Sequence, residues 1–576
     1  MRGCAHLHPG RPLGRALGCA ATALAVAAAA LTGTAAQAAP TASATLVVNA
    51  GQVLRPVTHV ASGSLYGLAT ATVPSDSLVE PLKPNTFVQM AAGGKQQAAG
   101  DVLVVAPEAA RAGAKVVNRL SDYYAGWPYQ FSWNNWLSVV DQQIQKTQAS
   151  GITNLAAYEL WNESDNTWLS SNGTFNDFWV KTYNEVRKLD RSTPIQGPSF
   201  SDNISDMQNF LQNAVATNTV PDIISWHELI SSSKIAGDVA KVTDIEKSLG
   251  ITPRPIAIEE YASPSEVGIP GKLVGYVAKF ERLGVHDAEL AFWNGYGALG
   301  DLLTGTGGSP NGAYWLYKWY GAMSGNMLTT TPPASTGLDG AASLNSARNQ
   351  IDVIFGDGAG DSAVTVNGLG SLSAFGSSVH VKVEDTPSRG RTTAVSGPST
   401  VFEGDYPVSN GSVTVPVTTN ASDGYHLVIT PSSGSAAGTY QILNKNSGLA
   451  LGTAGGGTGQ GTLVDQETPS TSATQTWTLA SAGSGLYKIR NQASGLLLGI
   501  TNAGTSNGAT ALIWGDNGTA DHLWQLVPDT GGYYKIVNSN SGLLLGVTNA
   551  STDSGAQVLQ WEDNGTADHL WRLATR

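Results

Sequence analysis

Two short apolar runs end in glutamates. Leu155 to Ser164 reads LAAYELWNES and closes on Asn162-Glu163, and Pro255 to Tyr261 reads PIAIEEY and closes on Glu259 and Glu260. One carboxyl that donates a proton and one that attacks or activates water are what cleavage of a glycosidic bond requires. Glu159, earlier in the first run, is read as a structural ion-pair partner. Glu259, next to Glu260 in a strand, should by alternation face away from it, toward a neighbouring strand or helix. His227-Glu228 invites a zinc-protease reading, but the HExxH motif needs a second histidine at 231, where the chain has Ser231.

The elements that hold these residues are legible in the pattern. From about residue 45 to 325, eight short apolar runs alternate with helical stretches: Gly63 to Ala69, Asn85 to Met90, Ala114 to Leu120, Thr153 to Trp161, Thr193 to Gly197, Asp222 to Trp226, Arg254 to Glu260 and Ala288 to Trp293. Eight strands with crossover helices predict a (β/α)8 TIM barrel, with an open doubly wound sheet as the alternative. The helices read as Trp133 to Ser150, Phe175 to Leu189, Ser205 to Ala216, Gly237 to Leu249, Lys272 to Leu283 and Ala313 to Ala322. Little helix is visible between the first strands. In such a barrel the strand ends carry the chemistry, and Asn162-Glu163, His227-Glu228, Glu259-Glu260 and Trp293-Asn294 all fall there.

Two all-β regions follow. Residues 330–431 show period-two runs between Gly, Asn, Asp and Ser turns and predict a β-sandwich, read as a packing or spacer domain. A Gly/Ser/Ala-rich linker, 432–438, leads to 439–576, which repeats three times. Tyr440, Tyr487 and Tyr534 are 47 residues apart, as are Trp477, Trp524 and Trp571, and SGLALGT, SGLLLGI and SGLLLGV recur at the same interval. Three copies of an all-β unit predict a β-trefoil.

Residues 1–39 read as a secretory signal peptide: Arg2, Arg11 and Arg15 precede an apolar run from Cys19 to Leu31 and an Ala36-Gln37-Ala38 cleavage site. The reading is therefore a secreted, extracellular protein. Both cysteines, Cys4 and Cys19, fall inside that segment, so the mature chain would carry neither disulfide nor thiolate metal site. A net charge of −12 argues against nucleic acid as partner, and no later stretch is apolar enough to span a membrane. With 13% charged residues, 15 Trp and 18 Tyr, the composition suits contact with neutral polymers, since aromatic faces stack on sugar rings.

LWNES on the fourth strand, IEEYA on the seventh and FWNGY on the eighth resemble the signature of the clan A retaining glycoside hydrolases, most closely family 39, over roughly residues 60 to 325. The resemblance implies Glu163 as general acid/base with a raised pKa, and Glu260, directly before the aromatic Tyr261, as nucleophile about 5 to 5.5 Å away. It gives Asn162 a bond to the sugar 2-hydroxyl, His227 a bond to the nucleophile or a sugar hydroxyl, and Trp293 the floor under the reacting ring. Tyr129, Trp161, Trp168 and Tyr261 join as residues lining the substrate. The chain departs from the clan in one place: an Arg usually ends the second strand, and this sequence has Gln89 there. Arg119, ending the third strand in VVNRLSD, is the candidate substitute.

The C-terminal repeats resemble ricin-type lectin modules, the carbohydrate-binding family 13 kind. Gln475-Thr-Trp477 matches their Gln-x-Trp motif; His522-Leu-Trp524 and His569-Leu-Trp571 occupy the same place. The three Trp of this motif read as core. Trp514 with Asp521 and His522, and Trp561 with Asp568 and His569, are the candidate sugar sites, whereas Glu467 takes the place of the stacking Trp in the first repeat. Gly452, Gly499 and Gly546 stand where the family carries a ligand Asp. The expectation is a metal- and cofactor-independent retaining glycoside hydrolase acting on plant or microbial polysaccharide or oligosaccharide, β-xylosidase-like or arabinose-related, with a sugar-binding trefoil. Alternatives are an endo-acting clan A glycanase and a non-catalytic carbohydrate-binding protein on a degenerate barrel.

Overall fold

A computed structural model describes residues 42–575, except 293, 306–307, 377, 433–437, 484–485 and 530–531. The expected signal segment, Trp293 and most of the expected linker therefore lie outside the described residues.

The first strand, β1 (Ala44–Pro56), is followed by eight parallel strands: β2 (Gly63–Leu65), β3 (Thr86–Met90), β4 (Lys115–Arg119), β5 (Leu155–Glu159), β6 (Ile195–Phe200), β7 (Ile223–Glu228), β8 (Ile256–Tyr261) and β9 (Asp287–Leu290). These eight form a closed barrel in sequence order. Closure is made by Gly63 opposite Glu289 and Ser64 opposite Leu290, which removes the open-sheet alternative. Gly63 is required at that seam: a Cβ there would lie 2.7 Å from the Ala288 carbonyl oxygen. Each of the eight apolar runs read from the sequence overlaps one barrel strand; the first four contain theirs whole, and the last four are offset by one to three residues.

The ring of helices comprises α1 (Val102–Arg111), α2 (Trp136–Ser150), α3 (Phe175–Leu189), α4 (Met207–Ala216), α5 (Ile235–Leu249), α6 (Pro270–Leu283) and α7 (Gly312–Ala322). Helix α1 is absent from the sequence reading because VLVVAPEAAR carries Pro107 in its middle, normally a helix breaker. It forms because Asp101 caps its start, accepting from the amides of Leu103 and Val104.

The second region is a nine-stranded sheet that takes in both flanks of the barrel. Its strands are β1, β10 (Asn326–Thr331), β11 (Asp339–Leu344), β12 (Ile351–Gly356), β13 (Gly360–Asn367), β14 (Ser378–Thr386), β15 (Ser399–Pro407), β16 (Val413–Thr419) and β17 (Gly424–Pro431). β1 pairs antiparallel with β10 and parallel with β13. The boundaries 40–329 and 330–431 are thus corrected: residues 44–56 and 326–331 belong to this sheet, since their ladder partners lie there. Its core is separate from that of the barrel and includes Leu46, Val48, Val353, Val364, Val381 and Leu427. The seam with the barrel is partly apolar, with Met327, Ala341 and Ile354 packed into the barrel core, and partly ionic: Arg282 and Lys279 of α6 both bind Asp339, Lys279 at 3.1 Å and Arg282 at 2.6 Å.

The C-terminal strands, from Gly438 to Thr575, repeat one pattern three times. Trp477, Trp524 and Trp571 are fully buried, and each indole N–H donates to a backbone carbonyl 26 residues earlier, Leu451, Leu498 and Leu545, at 2.8, 2.9 and 2.9 Å. This one bond, made identically in each repeat, fixes these Trp as core. Among the described residues no helix is long and apolar enough to cross a membrane.

Candidate active site

Along β3, β4 and β5 the inward positions are Val88 and Met90, Val117 and Arg119, Ala157 and Glu159, set by the parallel register. Arg119 is fully buried, and its position at the C-terminal end of β4 lets it span the barrel. Nε donates to Glu159 Oε2 at 2.8 Å, and Nη1 to Glu260 Oε1 at 2.8 Å and to Tyr66 Oη at 3.1 Å. Arg119 therefore holds Glu260, and Glu159 is its structural counter-ion. Gln89 does not reach Glu260. It alternates with Val88 and Met90, faces the helix side with Phe87, and its amide has no partner among the described residues.

Glu260 and Glu259 do not face opposite ways. The register of β7 and β8 slips here: Trp226 pairs with Ile258, but His227 pairs with Glu260. Such a bulge re-aims a side chain, so both carboxylates approach the His227 ring, Glu260 at 3.8 Å and Glu259 at 3.9 Å from Nε2. Only Glu260 opens to the cavity; Glu259 is fully buried and accepts a bond from the Gln196 amide.

Glu163 follows β5 in a left-handed conformation, φ 47° and ψ 59°, costly for a residue with a Cβ. The strain is held by its own N–H bonding to Ser199 O at 2.8 Å and by Thr167 Oγ1 donating to the carbonyls of Asn162 and Glu163 at 2.7 and 2.8 Å. Its carboxylate takes bonds from Asn166 Nδ2 at 3.0 Å and His227 Nδ1 at 3.0 Å. One oxygen each from Glu163 and Glu260, together with a ring nitrogen of His227, lie within 4.8 Å of one another.

Burial disfavours the charged His227 imidazole, but the charges of Glu260 and Glu163 and the bond to Glu163 outweigh it and lift His227 to about 9. Burial likewise pushes Glu163 up; the His227 bond and charge, the Asn166 bond and the Arg119 charge overcome it and hold Glu163 below its ordinary value. This corrects the expectation of a raised Glu163. The two opposite shifts favour the proton on His227 over Glu163, whose carboxylate is 3.0 Å away.

These groups face a cavity of about 400 Å³ lined also by Asn162, Tyr66, Tyr129, Tyr296 and Trp127. Asn162 Oδ1 is buried without a protein partner and points to a ligand role. Trp161 and Tyr261 do not line it. Trp161 donates to Thr167 Oγ1 at 2.9 Å and packs among Tyr129, Phe178 and Trp168; Tyr261 bonds Ala61 O at 2.7 Å and Tyr317 Oη at 2.6 Å. Both are core. Trp168 belongs to the same aromatic cluster, so of the three neighbouring aromatics only Tyr129 reaches the cavity. Trp293 lies outside the described residues.

Sequence reasoning missed Tyr66 and Asp122. Tyr66, itself at positive φ (49°), donates to Asp122 Oδ2 at 2.5 Å, and Asp122 Oδ1 accepts from Tyr129 Oη at 2.7 Å. Asp122 follows Arg119 by three residues in NRLSD, and that spacing was the available signal.

In the trefoil, Trp514 and Trp561 are exposed while Asp521, His522, Asp568 and His569 are buried. A cavity of about 260 Å³ is bounded by Trp561, Asn549, Asn564, Thr566, Asp568 and His569. The missing family Asp has a steric reason: a Cβ at Gly499 or Gly546 would sit 2.2 Å from the Cδ2 of His522 or His569. The imidazole fills the space the Asp would take.

N2152 from Neocallimastix frontalis is 38% identical to this chain, covering 68% of it and 100% of N2152, with a TM-score of 0.65. The chain belongs to the N2152 family. The fold of this N2152-family barrel is also that of the family 39 glycoside hydrolase from Xanthomonas axonopodis pv. citri (13% identical, 67% of this chain and 97% of that one, TM-score 0.51), in line with the clan A resemblance. Two curated relatives are a 3-O-alpha-D-galactosyl-alpha-L-arabinofuranosidase of Bifidobacterium longum subsp. longum (28% identical) and a 3-O-beta-L-arabinopyranosyl-alpha-L-arabinofuranosidase of Bifidobacterium pseudocatenulatum (27% identical). Each match takes in 64% of this chain but only 39% and 46% of the relatives, so the chain spans less than half of their length. The model of the ricin-type beta-trefoil lectin domain-like family matches residues 425–514 and 520–576.

Proposed function

We propose that this chain is a secreted, retaining glycoside hydrolase that releases α-L-arabinofuranosyl groups from plant or microbial polysaccharide or oligosaccharide. The observation that carries the reading is the approach of Glu163 and Glu260 within 4.8 Å across the cavity, with Arg119 on Glu260. Retaining enzymes keep their carboxyls about 5 to 5.5 Å apart, whereas inverting ones leave about 6.5 to 9.5 Å for a water.

In the first step Glu260 Oε2 or Oε1 attacks the anomeric carbon as the bond to the leaving oxygen breaks, and that oxygen takes a proton from Glu163. That proton comes from His227 Nδ1, 3.0 Å away, and passes through Glu163, which is left as the carboxylate that acts as base in the second step and hands the water proton back to His227. Arg119 keeps the attacking carboxylate in place. In the second step Glu163 takes a proton from water, the water oxygen bonds the anomeric carbon, and the bond to Glu260 breaks. Asn162 Oδ1, unpartnered in the cavity, accepts from the sugar 2-hydroxyl. The arabinose assignment rests on the two bifidobacterial relatives. The trefoil sites at Trp514 and Trp561 tether the enzyme to polymer and raise the local substrate concentration.

The test is turnover of 4-nitrophenyl α-L-arabinofuranoside, with 4-nitrophenyl β-D-xyloside as comparison, and the first-formed anomer read by proton NMR. Release of the α-anomer of arabinose supports the proposal; the β-anomer as first product, or xyloside as the only substrate, overturns it.

A further inference from the structure

A second cavity, of about 390 Å³, lies where the nine-stranded sheet meets the trefoil, and no residue of the barrel lines it. It nearly equals the catalytic cavity in volume and falls in the range that holds small molecules. Neither Trp514 nor Trp561 lines it, so it is separate from the candidate sugar sites of the repeats.

The two sides contribute different chemistry. On the sheet side, β15 is an edge strand paired with β14, and the register sets His380 opposite Asp405 and Lys382 opposite Glu403. Alternation then puts His380, Glu403 and Asp405 on one face. His380 Nδ1 is 2.9 Å from Asp405 Oδ1, and its Nε2 is 3.3 Å from Glu403 Oε1, so one ring ties both carboxylates. Ser432 Oγ donates to Asp405 Oδ2 at 2.6 Å. Carboxylates fixed in this way are acceptors preset for hydroxyl groups.

On the trefoil side stand Tyr440, Tyr487 and Tyr534, the tyrosines that recur every 47 residues. The threefold repeat thus brings three rings to one cavity. Neither the Tyr440 nor the Tyr534 hydroxyl has a hydrogen-bond partner among the described residues. Burial, and then the charge of Asp405, push Tyr534 up to about 12, so that its hydroxyl stays a donor. Glycine at 404 permits the close approach of the two sides, since a Cβ there would lie 2.6 Å from Tyr534 Oη.

Rings for the apolar face of a sugar, and acceptors and donors for its hydroxyls, meet across this cavity. Charge selects against other ligands. Two carboxylates against one guanidinium, Arg572, disfavour an anion, and the His380 imidazole already lies against the carboxylates where a cation would sit. We infer that the cavity binds a neutral mono- or disaccharide between the carboxylates of the sheet and the tyrosines of the trefoil, and that the bound sugar fixes the trefoil against the sheet. The site is independent of which glycosidic bond the barrel cleaves.

The experiment uses the full chain carrying Trp514→Ala and Trp561→Ala, which removes the repeat sites, and titrates it by calorimetry with free L-arabinose, D-galactose and D-xylose. At least one of the three should bind. Glu403→Gln in the sheet and Tyr534→Phe in the trefoil should each weaken that binding at least tenfold, while Asn162→Ala in the catalytic cavity leaves it in place. Glu403 is exposed and Tyr534→Phe keeps the ring, so both variants retain the fold. The same sugar should raise the unfolding temperature of the parent and not that of Glu403→Gln, because a ligand stabilises the state that binds it. Binding of none of the three sugars overturns the site. So does binding that Asn162→Ala removes and the two seam variants leave intact, which would belong to the catalytic cavity. Weakening by only one of the two seam variants overturns the bridge between sheet and trefoil.

Discussion

Arg119 Nη1 and Glu260 Oε1 are 2.8 Å apart, joining the end of the third barrel strand to the end of the seventh. The guanidinium is fully buried and also binds Glu159 through Nε. One cation thus serves two carboxylates, and it stands one strand away from where the clan A resemblance puts its Arg.

Removing that cation leaves both carboxylates without their charge partner. Arg119→Met should destabilise the chain by about 3 to 5 kcal/mol, the cost of breaking a buried pair from one side. Urea unfolding measures it. Arg119→Lys, a point charge without the fork, should recover part of the stability but not the turnover, because it cannot hold Glu159 and Glu260 together.

His227 sets the alkaline limit. With the imidazole lifted to about 9, the Glu163–His227 pair keeps its proton through neutral pH and loses it above. The upper limb of kcat/KM should therefore fall near pH 9. His227→Gln should move that limb down by more than one pH unit and cost about 10² in rate, the scale of a lost acid/base group. An unmoved limb contradicts the assignment.

The same imidazole links pH to folding. Its folded value lies above the ordinary 6.5, so its contribution is present in full below about pH 6.5 and is lost as pH rises through about 9. Urea midpoints of the wild type should fall across that window, and His227→Gln should flatten the fall.

Much of this was legible because the barrel reads out in strand ends. LWNES and IEEY mark them whatever the helices do, and the 47-residue repeat gives the trefoil directly. What stayed hidden depends on contacts distant in sequence. Alternation put Glu259 outside, and only the pairing of His227 with Glu260 reveals the bulge. A raised Glu163 followed from chemistry alone, whereas its lowering needs the His227 ring placed 3.0 Å away. The aromatic Trp161 looked like a sugar contact because its neighbour Asn162 is one, yet its ring turns into the Phe178 cluster. The pairing of β1 with β13, more than 300 residues later, has no local signature.

In the trefoil, the imidazole at Gly546 makes a specific demand. Gly546→Ala places a methyl 2.2 Å from the His569 ring, so it should displace His569 and weaken binding to soluble polysaccharide in affinity electrophoresis. Trp561→Ala should weaken it comparably, and Trp514→Ala with Trp561→Ala should abolish it while leaving hydrolysis of small aryl glycosides in place.

The central claim is that Glu260 forms the covalent bond to the sugar. Its most direct test is azide rescue of Glu260→Ala with 4-nitrophenyl α-L-arabinofuranoside. The account predicts near-complete loss of turnover, restored by azide with the β-arabinofuranosyl azide as product. Rescue at Glu259→Ala instead, or an azide product of retained configuration from Glu260→Ala, would contradict it.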